Sequence, residues 1–195
     1  MTTRLFLASQ SPRRRELLRQ IGVDYEVVDV DVPERREPGE PPEDYVSRVA
    51  REKAGAGLLQ LAAVPGAVVM GADTEVVLDD EVFGKPADAA DAAAMLRRLS
   101  GRRHRVVSTV WLVGAGREEH ATSLSTVEFM VLDDAAIAAY VASGEPFGRA
   151  GAYAIQGRAG AFVRHLEGSY SGVMGLPLYE TGELLRRFGR ERGAS

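Results

Sequence analysis

Gly71 to Pro86 reads GADTEVVLDDEVFGKP. The apolar run before it, Val64 to Met70, has the length and β-branched content of a buried strand, and Gly71 is where such a strand would leave its sheet. Asp73 is therefore expected at a strand mouth. Thr74 sets a hydroxyl beside it, Glu75 adds a second carboxylate, and Lys85 returns a cation after a turn around Asp79 and Asp80. Such a set can hold a metal ion, orient a water and neutralise phosphate oxygens, the tasks in cleaving a phosphoanhydride. Asp and Thr after a strand are also common turn and cap residues, and Asp79-Asp80 suits an ordinary hairpin, so the segment alone admits both readings.

Upstream, Arg4 to Ala8 reads as a short strand ending at Ser9-Gln-Ser11, and Pro12 opens a helix carrying Leu17, Leu18 and Ile21 up to Gly22. A strand, a polar turn and a helix present free backbone N–H groups and the positive end of a helix dipole, here with Ser9, Ser11, Arg13, Arg14 and Arg15. Three consecutive arginines cannot share one helix face, so one or two can aim at a ligand while the rest stay in water. A solvated basic turn is the competing reading. Asp24 to Asp31 alternates like a strand, and Val32 to Pro42 is an exposed loop in which Glu34 is either a metal ligand or a solvated carboxylate. Pro42 to about Ala62 is a helix with Arg48, Arg51 and Lys53 along it; Lys53 lies well round from the other two.

Downstream, Asp88 to Leu99 is a helix closed by Ser100-Gly101. Arg105 to Val113 and Ser123 to Val131 are strands that can pair over the Gly114-Ala-Gly116 turn. His104 and His120 are isolated and are expected to be structural or exposed, and Trp111 to face the core or a partner. Asp133 caps a helix to Ala142. Gly144 to Pro177 is dense in glycine and carries Arg149, Tyr153 and Gln156. The Gln156 amide offers donors and acceptors that suit a base edge; equally, it can cap a backbone group. Phe162 to Leu166 reads as a strand, Pro177 opens the last helix, and Gly189 to Ser195 is expected to fray.

The 195 residues suffice for one core, with 45% hydrophobic and 27% charged residues. A net charge of -4 argues against binding nucleic acid or a membrane with the whole surface, so any anion site must be local. There is no cysteine, hence no disulfide and no thiolate chemistry. No segment approaches the ~20 apolar residues of a membrane helix, and the N-terminus lacks a signal-peptide pattern, so a cytoplasmic location is expected.

Seven pieces in order, LASQSPRRRELL from Leu7, AREKA from Ala50, GADT from Gly71, GKP from Gly84, LSG from Leu99, GAYAIQG from Gly151 and GLPLYET from Gly175, together resemble the Maf family of nucleotide pyrophosphatases, once called septum formation inhibitors. The resemblance implies an α/β fold: an elongated mixed sheet with flanking helices, two lobes around a cleft, similar to inosine triphosphate pyrophosphatase, in a single domain over residues 1–195. It implies hydrolysis of nucleoside triphosphates to monophosphate and pyrophosphate with Mg²⁺ or Mn²⁺, in a homodimer. Asp73 matches the family's catalytic acid, which with Glu34 would hold the metal; Ser9, Ser11, Arg14, Lys53 and Lys85 would surround the phosphates. Arg13, Thr74 and Gln156 match the branch acting on dTTP and UTP, where the 7-methyl-GTP branch has tryptophan, glutamine and glutamate. The older family name leaves a second reading, a nucleotide-binding regulator of cell division with little catalysis. Three positions depart from the pattern. Glu75 stands where an aliphatic residue is usual and either adds a metal ligand or points to solvent; Gly148-Arg149 replaces Asp-Lys, and Ala154 replaces glycine.

Overall fold

The computed structural model describes residues 4–114 and 116–190. The strand expected to stop at Gly71 does not stop there. β3 runs Ala67–Leu78, because β5, Arg103–Gly114, offers an unbroken antiparallel partner from Val68 opposite Gly114 to Val77 opposite Arg105. The strand-mouth expectation is thus corrected: Asp73 lies in mid-strand, opposite Thr109. Gly71 serves a different purpose. Helix α2, Pro42–Gln60, crosses β3 so closely that a Cβ at residue 71 would lie 2.1 Å from the Ala50 carbonyl oxygen.

On the other edge of β3 lies β1, Arg4–Leu7, in parallel, and beyond it β2, Glu26–Val27. The longer strand expected over Asp24 to Asp31 shrinks to two residues, Glu26 and Val27, opposite Phe6 and Leu7 at the end of β1; the Val28 N–H still reaches the Leu7 carbonyl at 3.1 Å. β3 also pairs with β4, Glu81–Phe83, across a two-residue hairpin in which Asp79 and Asp80 have φ of 52° and 62°. Positive φ at both central residues gives the turn whose twist suits a hairpin, and aspartate tolerates it better than most residues. Past β5 come β6, Arg117–Phe129, and β7, Val163–Glu167, giving the order β2-β1-β3-β5-β6-β7. Strands β5 and β6 pair as expected; Ala115 of their turn, like the tail after residue 190, lies outside the described residues.

Alternation along β3 sends odd and even residues to opposite faces. The odd face packs on α2, with Val69 against Ala54 and Val77 against Val46 and Val49. The even face is split in two. Val68, Met70 and Ala72 meet α1, Pro12–Gln20, and α6, Leu178–Arg190, through Leu17 and Leu184. Val76 and Leu78 meet α3, Ala89–Leu99, and α4, Asp134–Ala142, through Leu96 and Ile137. Thr74 stands between these two apolar clusters on one face of one sheet. Asp88 and Asp133 cap α3 and α4 by accepting from the N–H groups of Asp91 and Ala136. A further helix, α5, Tyr170–Met174, was hidden in the glycine-dense segment by its brevity; Ser169 caps it, accepting from the Gly172 N–H at 3.0 Å.

His104 belongs to the second core, where its Nε2 shares a 2.9 Å hydrogen bond with the Tyr153 hydroxyl and its ring meets Phe129 edge-on. Burial lowers its pKa to about 4. A histidine freer to protonate when unfolded binds more protons in that state below pH 6.5, so stability falls as pH drops from about 6.5 towards 4. His104→Gln is expected to flatten that slope, removing about 3 kcal/mol of the pH-dependent loss at most. Urea titrations of both proteins at pH 7.0, 5.5 and 4.5 check this: parallel curves would show that His104 does not titrate on unfolding.

Candidate active site

The site follows from how β3 is edged. β1 covers one edge as far as Leu7 opposite Met70, and the Ala8 N–H extends the ladder to the Met70 carbonyl at 2.8 Å. β4 takes up the same edge at Phe83 opposite Val76. Between them, from Gly71 to Glu75, about 13 Å of strand edge is left to loops and side chains, the kind of interval in an open α/β sheet where ligands bind.

Four chain segments reach this gap. The end of β1 brings Ser9 and Ser11, the loop after β2 brings Glu34, α2 brings Lys53, and the end of β4 brings Lys85. They line a cavity of about 430 Å³, shared with Arg13, Arg14, Asp73, Thr74 and Gln156. All ten residues picked out in the sequence therefore meet in one place, while Arg48 and Arg51 of α2 turn outward to pair with Glu40 and Glu118. Arg15 does not line the cavity, so two of the three consecutive arginines reach it.

Charges alternate along the gap. Lys53 Nζ, nearly buried, donates to Asp73 Oδ1 at 2.7 Å and lies 2.6 Å from Glu34 Oε1, while Lys85 Nζ lies 2.5 Å from Glu34 Oε2. Burial alone would raise the Glu34 pKa, but Lys53 and Lys85 outweigh it and hold this carboxyl at about 2. Glu34 is thus ionised at neutral pH and ties both lysines to Asp73. The arginines are fixed from the far side: Arg13 Nε donates to the Met174 carbonyl at 3.1 Å and Arg14 Nε to the Gly175 carbonyl at 2.8 Å. Arg14 also reaches Ser9 Oγ at 3.2 Å, and Ser9 Oγ accepts from the Ser11 N–H. Burial lowers the Arg14 pKa, an effect opposed by Asp73, Glu34 and Glu75; as a guanidinium it stays charged regardless. Anchoring through Nε fixes each fork and leaves the terminal nitrogens as the remaining donors.

On the even face Thr74 Oγ1 is hydrogen-bonded to Ser108 Oγ, which donates to the Gly172 carbonyl at 2.7 Å. With its proton committed to Gly172, Ser108 accepts from Thr74, so Thr74 keeps lone pairs but no spare proton. Residue 74 therefore offers a ligand an acceptor.

The sequence leaves two cavity residues open, Arg149 without a role and Glu75 between metal ligand and solvent. Arg149 lines it with a buried, unpartnered Nε, and burial lowers its pKa. Glu75 does not point to solvent: it is 5% exposed, and among the described residues its Oε2 has no hydrogen-bond partner. Burial, with the negative charges of Asp73 and Glu34, raises its pKa well above the usual range. The available signal was period two: had Asp73 been placed inside a strand, Glu75 would have fallen on its face.

A divalent cation suits this donor set. Among the described residues Asp73 Oδ2 and Glu75 Oε2 are buried oxygens without partners, and carboxylates are the ligands Mg²⁺ and Mn²⁺ favour. Among the described residues no three acidic or histidine side chains converge to cage a metal by themselves. Mg²⁺ is usually held by one or two carboxylates, completed by phosphate oxygens and water, so a sparse set is what such a site needs.

Fold and site together define an α/β protein with a cleft at a sheet-edge gap, built to take a polyanion against a carboxylate. The sequence model of the Maf-like protein family matches residues 4–188, and the chain belongs to that family. It is similar to the dTTP/UTP pyrophosphatase of Xanthomonas euvesicatoria pv. vesicatoria, 61% identical over 187 residues that cover 95% of this chain and 98% of the relative. A dTTP/UTP pyrophosphatase of Aromatoleum aromaticum is 53% identical over 197 residues, covering 95% and 96%. Among solved structures the Staphylococcus aureus Ham1 protein is similar over 65% of this chain and 72% of its own, with a TM-score of 0.44 and 16% identity.

Proposed function

We propose that this chain is a nucleoside triphosphate pyrophosphatase that hydrolyses dTTP and UTP to the monophosphate and pyrophosphate. The observation that carries the reading is the alternation Asp73, Lys53, Glu34, Lys85 along the open edge of β3. The names of the relatives support the choice of substrate, and Arg13, Thr74 and Gln156 all line the cavity.

Triphosphate oxygens enter against the Ser9 to Ser11 turn at the start of α1 and draw Lys53 and Lys85 away from Glu34. Arg14, already fixed, receives them without reorganising. Glu34 and Asp73 would hold the divalent cation, which supplies charge neutralisation on the phosphates. Asp73 accepts a proton from a water whose oxygen attacks the α-phosphorus. The bond from that phosphorus to the αβ bridging oxygen breaks, and pyrophosphate leaves with the bond's electron pair. Thr74, an acceptor only, and the Gln156 amide suit the alternating donor and acceptor edge of uracil or thymine, whose N3–H needs an acceptor.

The test is a panel of nucleoside triphosphates with Mg²⁺ or Mn²⁺, assayed separately for pyrophosphate and orthophosphate. UTP and dTTP are expected to release pyrophosphate and to exceed GTP and ATP in kcat/KM by roughly 100-fold or more, because a site arranged to hydrogen-bond one base edge leaves its polar groups unpaired against another. Orthophosphate as the primary product would overturn the reaction. Tight UTP binding with no turnover over hours would make the chain a nucleotide-binding regulator instead.

A further inference from the structure

In the reading above Asp73 serves twice, holding a cation and taking a proton, with little to spare for either. Its Oδ1 already accepts from Lys53 at 2.7 Å, and both oxygens of Glu34 are engaged by lysines. Among the described residues lining the cavity, the buried carboxylate oxygens without a hydrogen-bond partner are Asp73 Oδ2 and Glu75 Oε2. Both side chains are more than nine-tenths buried, at 4% and 5% exposure.

Residues 73 and 75 share one face of β3, with Cα atoms about 7 Å apart, a separation that two carboxyl side chains can close around a cation. Pairing of Asp73 with Thr109 and Glu75 with Val107 fixes their backbones. Glu75 also lines an adjoining cavity of about 540 Å³ beside Tyr45, Arg35, Arg36 and Lys85. Two buried carboxyl groups on one strand face, each with an unpaired oxygen, cannot both stay ionised at low cost unless a positive charge, a proton or a cation, offsets them. Lys53 answers one oxygen of Asp73, whereas among the described residues nothing hydrogen-bonds Glu75 Oε2.

We propose that Glu75 and Asp73 together form a divalent-cation site that fills before the nucleotide binds, so that the incoming phosphates join a cation already placed by the chain. This rests on the pyrophosphatase reading and deepens it: Glu75 shares the cation with Asp73 Oδ2, which leaves Asp73 Oδ1 for the water's proton once Lys53 turns to the phosphates.

The experiment measures Mn²⁺ binding to the nucleotide-free, full-length protein by electron paramagnetic resonance, together with melting temperatures with and without Mn²⁺. Wild type is expected to bind Mn²⁺ and to melt higher in its presence. Glu75→Gln is expected to weaken that binding by roughly tenfold or more and to lose most of the Mn²⁺-dependent rise, while melting no lower than wild type in chelator. Should the side-chain amide disturb folding, Glu75→Val serves as a second variant of the same prediction. Equal Mn²⁺ affinity in wild type and Glu75→Gln, or no binding by wild type without nucleotide, would overturn the proposal. Pyrophosphate release from UTP by wild type is followed in parallel: its absence defeats the pyrophosphatase reading, whereas its presence with unchanged Mn²⁺ binding defeats the Glu75 site alone.

Discussion

Asp73→Asn is expected to lower kcat for pyrophosphate release by roughly 10³-fold, within the range that general-base catalysis contributes. The substitution keeps shape and volume at a side chain 4% exposed, so the fold should persist. The asparagine oxygen can still accept from Lys53, which in any case keeps its contact with Glu34. What is lost is the capacity to take a proton and part of the affinity for a cation. These two losses separate kinetically. If Asp73 acts only as a ligand, raising Mg²⁺ tenfold restores kcat; if it also takes the proton, kcat stays low at saturating Mg²⁺. Asp73→Glu restores the carboxylate but displaces it by about one methylene, and is expected to recover only part of the rate, since misplacement by about 1 Å costs on the order of 100-fold. Near-normal turnover in Asp73→Asn would remove Asp73 from the base role and, with it, the reaction path given above.

Much of this architecture is legible in the residues. The Pro12, Asp88 and Asp133 starts, the helical stripes and the Asp79-Asp80 turn are local signals, read from spacing and from backbone preferences that act over a few residues. The site residues are legible for a different reason, the resemblance carried by seven ordered pieces; no local pattern links Glu34 to Lys85. What stayed hidden depends on tertiary pairing. Gly71 looked like a strand end because glycine usually weakens a strand; nothing nearby in sequence announces that α2 would press against it. That single misplacement concealed the Asp73 and Glu75 pairing on one face, and so left Glu75 undecided between ligand and solvent. Helix α5 was missed because five residues are too few for a periodic pattern, though its end supplies the carbonyls that fix Arg13 and Arg14.

Gly71→Ala is expected to destabilise the protein by about 3 kcal/mol or more, beyond most single-methyl insertions into a core. The added Cβ would lie 2.1 Å from Ala50 O and 2.6 Å from Ala54 N, both backbone atoms in the interior of α2, which cannot swing aside as a side chain can. Carbon and carbonyl oxygen normally approach no closer than about 3.3 Å, so the helix must retreat by about 1 Å or the strand must buckle. Either movement acts on the site, because Lys53 stands on α2 one residue before Ala54 and reaches Asp73 two residues beyond Gly71. The melting temperature is expected to fall by roughly 10 °C, and kcat for UTP to fall with it, by more than the loss of folded protein explains. Gly55→Ala is the control: it lies on the same helix with nothing within 4 Å of its Cβ position, and should gain up to about 1 kcal/mol from helix propensity. Opposite signs for the same substitution, at Gly71 on β3 and at Gly55 on α2, are what close helix-to-strand contact at residue 71 requires. If Gly71→Ala instead melted within a degree of wild type and kept full turnover, α2 would not be set against β3 by that glycine, and the placement of Lys53 beside Asp73 would need another cause.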